Sequence, residues 1–314
     1  MKRLLFSHMS DIDGMGEVIL GKIAFEELDY ILSKNVADLE KNFMKEYNVG
    51  KLYEYDIIYI TDLSLTKPTA EIVYSDEKLK DKVYIFDHHE TAFNSGLNEY
   101  DNVTVKISDE NGICCATQLF YEYLVNNSFI EKTRLLDDFV ELVRQEDTYE
   151  WKKNNNQKAH DLAILYNCLG IDKYIQKMIF KLKGTFKEAP FEFDPDELDD
   201  IYMKKQSTKA KVESFIEDLK IIKVDEYDIG VCFIGYEYRN EVADYLKDTM
   251  KYDIDAVAMF AFENNQISLR SIKDNSSARI IAEKFGGGGH DKAAAIGLSD
   301  EIKDKIVYSV FENK

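Results

Sequence analysis

The sequence predicts an α/β protein: an N-terminal parallel sheet with helices on both faces, a linker helix, and a smaller C-terminal α/β domain. In the first half of the 314 residues, short apolar runs alternate with amphipathic stretches. Wholly apolar strands separated by helices are typical of a parallel sheet that is buried on both faces. Strand-like runs return only after a long charged segment around residue 200, which indicates a second domain.

The N-terminal half contains five candidate strands and six candidate helices. Apolar, β-rich runs predict strands at 4–7, 28–32, 56–61, 83–86 and 103–107. Apolar residues at helical spacing predict helices at 16–25, 36–47, 113–125, 132–146, 157–169 and 172–182. The alternation of the first elements favours βαβ units, whose strands run in one direction.

A domain boundary is predicted at 184–195, where Gly184, Pro190 and Pro195 cluster among acidic and aromatic residues. One long helix is predicted at 196–219. Beyond it, the pattern predicts strands at 229–234, 256–261 and 266–271 and helices at 241–252 and 278–285. The predicted parts are a domain at 1–184, a linker at 185–219 and a domain at 220–314.

The amino-acid composition limits the kinds of binding partner and indicates the cellular compartment. The formal net charge is −19, whereas proteins that coat long nucleic acid present a basic face. A polyanionic substrate would therefore have to be small or held locally, and we expect no binding of long duplex nucleic acid. Solubility is the alternative explanation of the charge. No apolar stretch approaches the roughly 20 residues of a membrane span, and the four cysteines lack CxxC spacing. These features predict a cytoplasmic protein with reduced thiols and no membrane contact.

Acidic and histidine residues follow three of the predicted strands. His8, Asp11 and Asp13 come after the first strand, Asp62 after the third, and the tripeptide Asp-His-His at 87–89 after the fourth. A helix cap would explain one Asp after the first strand, but not two together with a histidine. Because ligands bind outside the carboxyl ends of parallel strands, we expect these side chains to meet at one edge of the sheet.

Carboxylates brought to one place repel one another unless cations neutralise them. Oxygen ligands with one or two imidazoles suit Mn²⁺ or Mg²⁺, with Zn²⁺ and Co²⁺ as competitors. Two ions that share one carboxylate form a two-metal hydrolase site, in which water attacks phosphorus in line. The acidic end of the 132–146 helix, which includes Asp147, is a less specific candidate for the same site.

A second motif lies near the C-terminus. Four glycines at 286–289 precede His290, and their backbone N–H groups can cradle a phosphate. Arg270, on a predicted strand, can hold phosphate through two hydrogen bonds. The alanines after His290 predict a helix of small residues, and this context makes a merely flexible glycine turn less favoured.

These motifs resemble those of the DHH phosphoesterase superfamily over nearly the whole chain. The tripeptide at 87–89 is similar to the motif that names the superfamily, and His8-Met-Ser-Asp11-Ile-Asp13-Gly is similar to its first motif. Asp62 resembles its second motif and Asp147 its fourth, and the glycine-rich segment resembles the signature of the DHHA1 domain. The form of the first motif is similar to that of nanoRNase B-type oligoribonucleases, also described as cyclic-nucleotide phosphodiesterases.

The resemblance implies a role for each motif. It implies a catalytic, metal-binding DHH domain at 1–184 and a substrate-binding DHHA1 domain at 220–314. One divalent ion would be bound by His8, Asp11 and Asp62, and the other by Asp13, Asp62, His88 and Asp147. His89 would contact the scissile phosphate or assist proton transfer, and Asp87 would orient His88. The far end of the substrate would be held by Arg270, Gly287, Gly288, Gly289 and His290, with Arg239 and Asn240 as further candidates; for Asn240 a helix cap is the favoured alternative.

The predicted function is hydrolysis of short single-stranded RNA to nucleoside 5′-monophosphates from the 3′ end. Mn²⁺ is the expected metal, with Mg²⁺ or Co²⁺ as alternatives. The alternative substrates are small nucleotides: 3′-phosphoadenosine 5′-phosphate, cyclic AMP or cyclic dinucleotides. A nucleotide-binding protein with a degenerate site is a hypothesis of another class. The sequence leaves the oligomeric state open, and a homodimer is compatible with it.

Overall fold

The described residues form two main sheets, one in each half of the chain, and a small two-stranded ribbon. The protein is described by a computed structural model of residues 1–110, 112–184 and 186–311. Its residues divide into two units by their contacts, Met1–Tyr202 and Met203–Lys314. The assignment of catalytic, linker and substrate-binding parts with limits at 184 and 219 stays a prediction.

The first unit contains a main sheet and a small β-ribbon. Its strands are β1 (Arg3–His8), β2 (Leu28–Ser33), β3 (Ile57–Thr61), β4 (Val83–Asp87), β5 (Val103–Val105), β6 (Ser108–Asp109) and β7 (Gly112–Ile113). The main sheet has the order β2-β1-β3-β4-β5, and its neighbouring strands are all parallel. The predicted parallel sheet is confirmed.

The strand order reverses between β1 and β3. The chain places β2 on one side of β1 and then crosses over to place β3, β4 and β5 on the other. Such a reversal leaves a crevice outside the carboxyl ends of the two central strands. His8 is the last residue of β1, and Asp62 directly follows β3.

Helices cover both faces of this sheet. They are α1 (Ile12–Ala24), α2 (Val36–Asn48), α3 (Lys67–Ser75), α4 (Glu90–Asn94), α5 (Ala116–Asn126), α6 (Arg134–Asp147), α7 (Glu150–Lys153), α8 (Gln157–Leu169), α9 (Ile171–Leu182) and α10 (Pro195–Glu217), with 3₁₀ turns at Lys51–Glu54 and Leu97–Glu99. One apolar layer joins Leu5 and Tyr59 of the sheet to α1, α5, α6, α8 and α9. The other joins Phe6 and Ile60 to α2 and α3.

Some predicted helix limits were wrong. The helix predicted at 113–125 begins at Ala116, because Gly112 and Ile113 pair with β6 and the Cys115 thiol accepts a hydrogen bond as the helix cap. The short helices α3, α4 and α7 were not anticipated. They have nine, five and four residues. An amphipathic pattern of fewer than three turns is too short to stand out from a loop.

The second unit contains a mixed six-stranded sheet. Its strands are β8 (Lys220–Val224), β9 (Tyr227–Phe233), β10 (Ala256–Ala261), β11 (Gln266–Ser271), β12 (Gly288–Gly289) and β13 (Ala293–Gly297), and its helices are α11 (Arg239–Thr249), α12 (Ala278–Glu283) and α13 (Asp300–Phe311), with 3₁₀ turns at Tyr236–Tyr238 and Phe262–Asn264. The order is β12-β13-β11-β10-β9-β8. Only β9 and β10 pair in parallel among these neighbours.

The predicted helix of small residues after His290 was wrong. The alanines form β13, which pairs antiparallel with β11 on one side and with β12 on the other. A Cβ atom on Gly289 would lie 2.6 Å from Cα of Ala294, so these strands approach more closely than side chains would permit. Close strand pairing therefore overrides the helix propensity of alanine.

Helix α10 contributes to the apolar core of both units. Ile201 packs into the core of the first unit, and Val212 and Ile216 pack into that of the second. This helix lies within two residues of the limits that the sequence predicted. Among the described helices, none combines the length and apolarity needed to cross a membrane.

We expect Phe120→Ala to destabilise the first unit by about 3–5 kcal/mol. Phe120 is fully buried, and its ring centroid lies 5.2 Å from that of Tyr59 and 5.5 Å from that of Phe86. Phe180→Ala is the control, because 84% of Phe180 is exposed, and its change should stay within about 0.5 kcal/mol. Urea denaturation followed by circular dichroism measures both. Equal effects of the two substitutions would contradict the proposed packing.

Candidate metal centre

The candidate site lies at the carboxyl edge of the parallel sheet, where strand and helix ends meet. His8 ends β1, Asp62 follows β3, and Asp87 ends β4. Asp11 caps α1, Asp13 lies in its first turn, and Asp147 ends α6. The structure therefore brings together the four acidic and histidine clusters that the sequence singled out.

His8 lies against two carboxylates. Its Nδ1 is 2.9 Å from Oδ2 of Asp11 and 3.2 Å from Oδ2 of Asp62. Its Nε2 lies 3.0 Å from the carbonyl oxygen of Lys34. When Nε2 carries the proton and donates to that carbonyl, Nδ1 is left with a lone pair for a cation. These three residues form a group that can hold a metal ion.

His88 lies among three carboxylate groups. Its Nε2 is 3.4 Å from Asp62, 3.6 Å from Asp147 and 3.7 Å from Asp13. Asp13 is fully buried and accepts 2.8 Å hydrogen bonds from the backbone N–H groups of Ala116 and Thr117 at the start of α5. Asp13, His88 and Asp147 form a second group that can hold a metal ion.

Asp62 is common to both sides of the site. Its Oδ2 faces His8 and its Oδ1 faces His88. Its backbone has φ of 58°, in the left-handed region that Asp and Asn adopt more readily than most residues. Its N–H donates to the carbonyl oxygen of Phe86 at 3.0 Å, which ties this turn to β4. The geometry places one carboxylate where two cations can share it.

Three buried atoms of this cluster lack a hydrogen-bond partner within the described part of the chain. They are Oδ2 of Asp62, Nε2 of His88 and Oδ2 of Asp147. Unpaired buried polar atoms are rare in folded proteins, and a bound ion can supply the missing partner. Burial, together with the charges of Asp13 and Asp62, raises the pKa of Asp147 to about 8. The residues present therefore fit divalent cations.

A close turn between β1 and α1 depends on Gly14. A Cβ atom at this position would lie 2.0 Å from the carbonyl oxygen of His8, so only glycine allows the approach. The N–H of Gly14 donates to Oδ1 of Asp11 at 3.2 Å. This turn brings His8, Asp11 and Asp13 together at the carboxyl edge of the sheet.

Asp87 contacts His89 rather than the His88 ring. Its Oδ1 lies 2.7 Å from Nδ1 of His89 and accepts the backbone N–H of His88 at 2.7 Å. Its Oδ2 accepts a 2.5 Å hydrogen bond from Ser64. The expectation that Asp87 orients the ring of His88 was wrong, because consecutive residues direct their rings differently and only His89 turns back to the carboxylate. This hydrogen bond outweighs burial and raises the pKa of His89.

Glu17 is a buried carboxyl group that the sequence reasoning missed. It is fully buried in α1, and its Oε2 lies 2.7 Å from the hydroxyl oxygen of Ser7, which also lies 2.7 Å from the carbonyl oxygen of Gly14. Burial, and then the charges of Asp13 and Asp62, raise the pKa of Glu17 well above its ordinary value. The signal in the sequence was a single acidic residue within the apolar middle of the helix.

Two of the predicted substrate-binding residues of the second unit, Arg270 and Asn240, contact each other. Arg270 donates to Oδ1 of Asn240 from Nε at 3.3 Å and from Nη2 at 3.1 Å. Arg239 lies over the ring of Tyr236, 4.0 Å from its centroid. Asn240 is the second residue of α11 and pairs with Arg270, so the expected helix cap was wrong.

The glycine segment forms a hairpin in this unit. Gly288 and Gly289 form β12, and His290 exchanges backbone hydrogen bonds of 2.7 and 3.1 Å with Ala293. A Cβ atom on Gly287 would lie 2.2 Å from the carbonyl oxygen of Ala295. Close strand pairing therefore accounts for Gly287 and Gly289, whereas Gly288 faces open space.

Comparison with known proteins places the chain in a family. No family model matches it. It is 30% identical over 317 aligned residues to the oligoribonuclease NrnB of Bacillus subtilis, covering 98% of this chain and 75% of that protein. The chain belongs to the DHH phosphoesterases, as its motifs predicted, and it is a phosphoesterase.

Solved structures share the fold. A pGpG-specific phosphodiesterase, PggH of Vibrio cholerae, has a TM-score of 0.53 and 16% identity, with 99% of this chain and 97% of that chain covered. RecJ of Thermus thermophilus in complex with Mn²⁺ has a TM-score of 0.53 and 14% identity, with 98% of this chain and 51% of that chain covered. The sheet and helices of the present chain are therefore those of a DHH fold.

We expect Glu17→Ala to destabilise the protein by about 1–3 kcal/mol, because the buried hydroxyl of Ser7 loses one of its two hydrogen-bond partners. Glu17→Gln keeps an acceptor oxygen of the same shape, so it should stay close to the wild-type stability. Urea denaturation measures the difference. A Glu17→Gln protein as unstable as Glu17→Ala would show instead that the site needs the carboxylate charge.

Proposed function

We propose that this phosphoesterase is a divalent-metal-dependent phosphodiesterase that cleaves short single-stranded RNA into nucleoside 5′-monophosphates, starting at the 3′ end. The observation that carries the proposal is the position of Asp62 between two groups of metal-binding side chains. The chain is 30% identical to an oligoribonuclease in an alignment that covers 98% of it, and this similarity supports RNA as the substrate class.

The proposed ligands of one ion are His8, Asp11 and Asp62, and those of the other are Asp13, Asp62, His88 and Asp147. Mn²⁺ is the preferred ion in this proposal, with Mg²⁺ or Co²⁺ as alternatives, because carboxylates dominate and imidazoles are few. When bound, the ions supply positive charge that neutralises the phosphodiester and lowers the pKa of the attacking water.

The chain's own residues orient the substrate and its leaving group. With Nδ1–H donated to Asp87, Nε2 is the outward nitrogen of His89, and it donates to a phosphate oxygen when the ring is protonated, the state that the hydrogen bond to Asp87 favours by raising the pKa of His89. The oxygen of water forms a bond to phosphorus and gives up one proton, the bond from phosphorus to O3′ breaks, and the leaving O3′ gains one proton to become the 3′-hydroxyl. Asp87 in turn is fixed by Ser64, which limits rotation of the pair.

The charge of the protein favours a short substrate. A net charge of −19 repels long polyanions at a distance. Short oligonucleotides carry few phosphates, so a local set of donors can hold them. We propose that Arg270, Gly287, Gly288, Gly289 and His290, with Arg239 and Asn240, bind the part of the substrate away from the scissile phosphate.

The substrate class is tested with purified protein and a series of RNA dimers to pentamers. We expect release of nucleoside 5′-monophosphates with Mn²⁺, and a 5′-labelled series should shorten one nucleotide at a time. The same protein is assayed with Mg²⁺ and Co²⁺, and on a cyclic dinucleotide, cyclic AMP and 3′-phosphoadenosine 5′-phosphate. Turnover of small nucleotides without cleavage of RNA of any length would reject the proposed substrate.

We expect Asp62→Asn to lower turnover of an RNA dimer by more than about 100-fold, since loss of a residue that merely supports a metal ligand already costs about 10–100-fold. Asparagine tolerates the left-handed backbone of this position, so the fold should persist.

Asp56→Asn makes the same change of charge on the exposed side chain that precedes β3, and it should leave turnover unchanged. Calorimetric titration with Mn²⁺ should show weakened binding only for Asp62→Asn. If the Asp62→Asn protein cleaved the RNA dimer at the wild-type rate, the proposal that Asp62 is a ligand shared by two ions would be wrong.

A further inference from the structure

A cavity of about 340 Å³ opens beside the metal centre within the first unit. It is bounded by the segment after β3, by the segment after β4 together with α4, and by Val36 at the start of α2. Its inner surface is apolar, because Leu63, Leu65 and Ala92 are buried beneath it. The proposed chemistry at the metal centre involves one wall of this cavity and assigns no role to the rest of it.

One wall of the cavity is shared with the metal centre. Asp62, Asp87 and His89 line it. Because His89 is the proposed phosphate contact, a group esterified to that phosphate can extend from the centre into the cavity. The cavity therefore lies where part of a bound substrate would be.

Polar side chains line the outer part of the cavity. Thr66, Lys67 and Thr91 are exposed, and Ser95 is half-buried. The Ser95 hydroxyl donates to the carbonyl oxygen of Ala92 at 2.6 Å, which leaves its oxygen as an acceptor. The hydroxyl groups and the Lys67 ammonium can bond the edge of a base or the hydroxyls of a ribose.

The size and polarity of the cavity limit the kind of molecule that it can bind. Small-molecule sites span about 300–1,000 Å³, so this cavity lies at the lower end and suits one nucleoside rather than two. An apolar floor disfavours a free anion, because buried charges need partners. A flat, partly apolar group with hydrogen-bonding edges can contact the apolar inner surface of the cavity and bond the polar side chains of its outer part.

We propose that this cavity binds the ribose and base of the 3′-terminal nucleotide, the one that leaves as the nucleoside 5′-monophosphate. The inference rests on the proposed function, because the phosphate of that nucleotide must lie at the metal centre. It makes a nucleoside monophosphate, the product, a ligand of the same cavity.

The test compares two ligands that differ by one nucleoside: adenosine 5′-monophosphate and inorganic phosphate. Their affinities for the Mn²⁺-loaded protein are measured by calorimetry. Thr91→Phe and Lys67→Phe each fill the cavity from a different side, and both positions are exposed, so folding should be preserved. Asn94→Phe is the matched control, since Asn94 lies on the same helix as Thr91 but does not line the cavity.

We expect both filling variants to weaken binding of adenosine 5′-monophosphate by at least about tenfold, or about 1.4 kcal/mol. Binding of inorganic phosphate should not change in any variant, and Asn94→Phe should bind both ligands as the wild type does. Unchanged affinity for the nucleotide in both filling variants would overturn the inference. An equal loss for phosphate would also overturn it, because the effect would then lie at the metal centre.

The result of the binding test on the cavity can be distinguished from the result of the hydrolysis test on the proposed function. RNA-dimer hydrolysis by the wild type tests the function, whereas the comparison of the two ligands tests the cavity. A wild type that cleaves RNA, with filling variants that bind the nucleotide normally, would reject the cavity alone. Absence of RNA cleavage would reject the function, and the binding comparison would still decide whether a nucleoside occupies the cavity.

Discussion

The crowding of carboxylates around Nε2 of His88 is the constraint on which the rest of the site depends. Asp13, Asp62 and Asp147 all approach that nitrogen within 3.7 Å, in surroundings from which water is largely excluded. A buried charge is costly unless it is paired, and three acidic groups around one imidazole carry more negative charge than it can balance. The fold therefore holds an arrangement that is favourable with divalent cations and unfavourable without them.

The topology of the sheet explains why this arrangement forms. The carboxyl ends of parallel strands lie at the same edge of the sheet. The strand order reverses between β1 and β3, and this reversal leaves a crevice at that edge. Gly14 then lets α1 begin against the end of β1, and the left-handed turn at Asp62 directs one carboxylate to both sides of the crevice. Local backbone geometry, rather than additional side chains, makes Asp62 common to the two groups.

The sequence predicted the convergence of the strand ends but not the finer contacts. His8, Asp62 and His88 meet because sheet topology dictates it, and topology can be inferred from the alternation of apolar runs. The pairing of Asp87 with His89 depends on the direction in which two adjacent rings point, which residue spacing does not encode. Glu17 was missed because its burial depends on the packing of α1, and β13 was predicted as a helix because alanine propensity says nothing of strand pairing.

Two levels of electrostatics decide which substrates can reach such a site. Over long distances the net charge of −19 opposes every polyanion, and the opposition grows with the number of phosphates. At short range, under the proposed function, each phosphate at the crevice would gain from cations, from His89 and from the donors around it. A chain of one or two phosphodiesters obtains most of the local gain while meeting little of the long-range repulsion. A long strand meets repulsion along its whole length, although it offers the crevice the same single scissile phosphate. Under the proposed function, the net negative charge and a cation-dependent site would together favour short substrates without any feature that measures length.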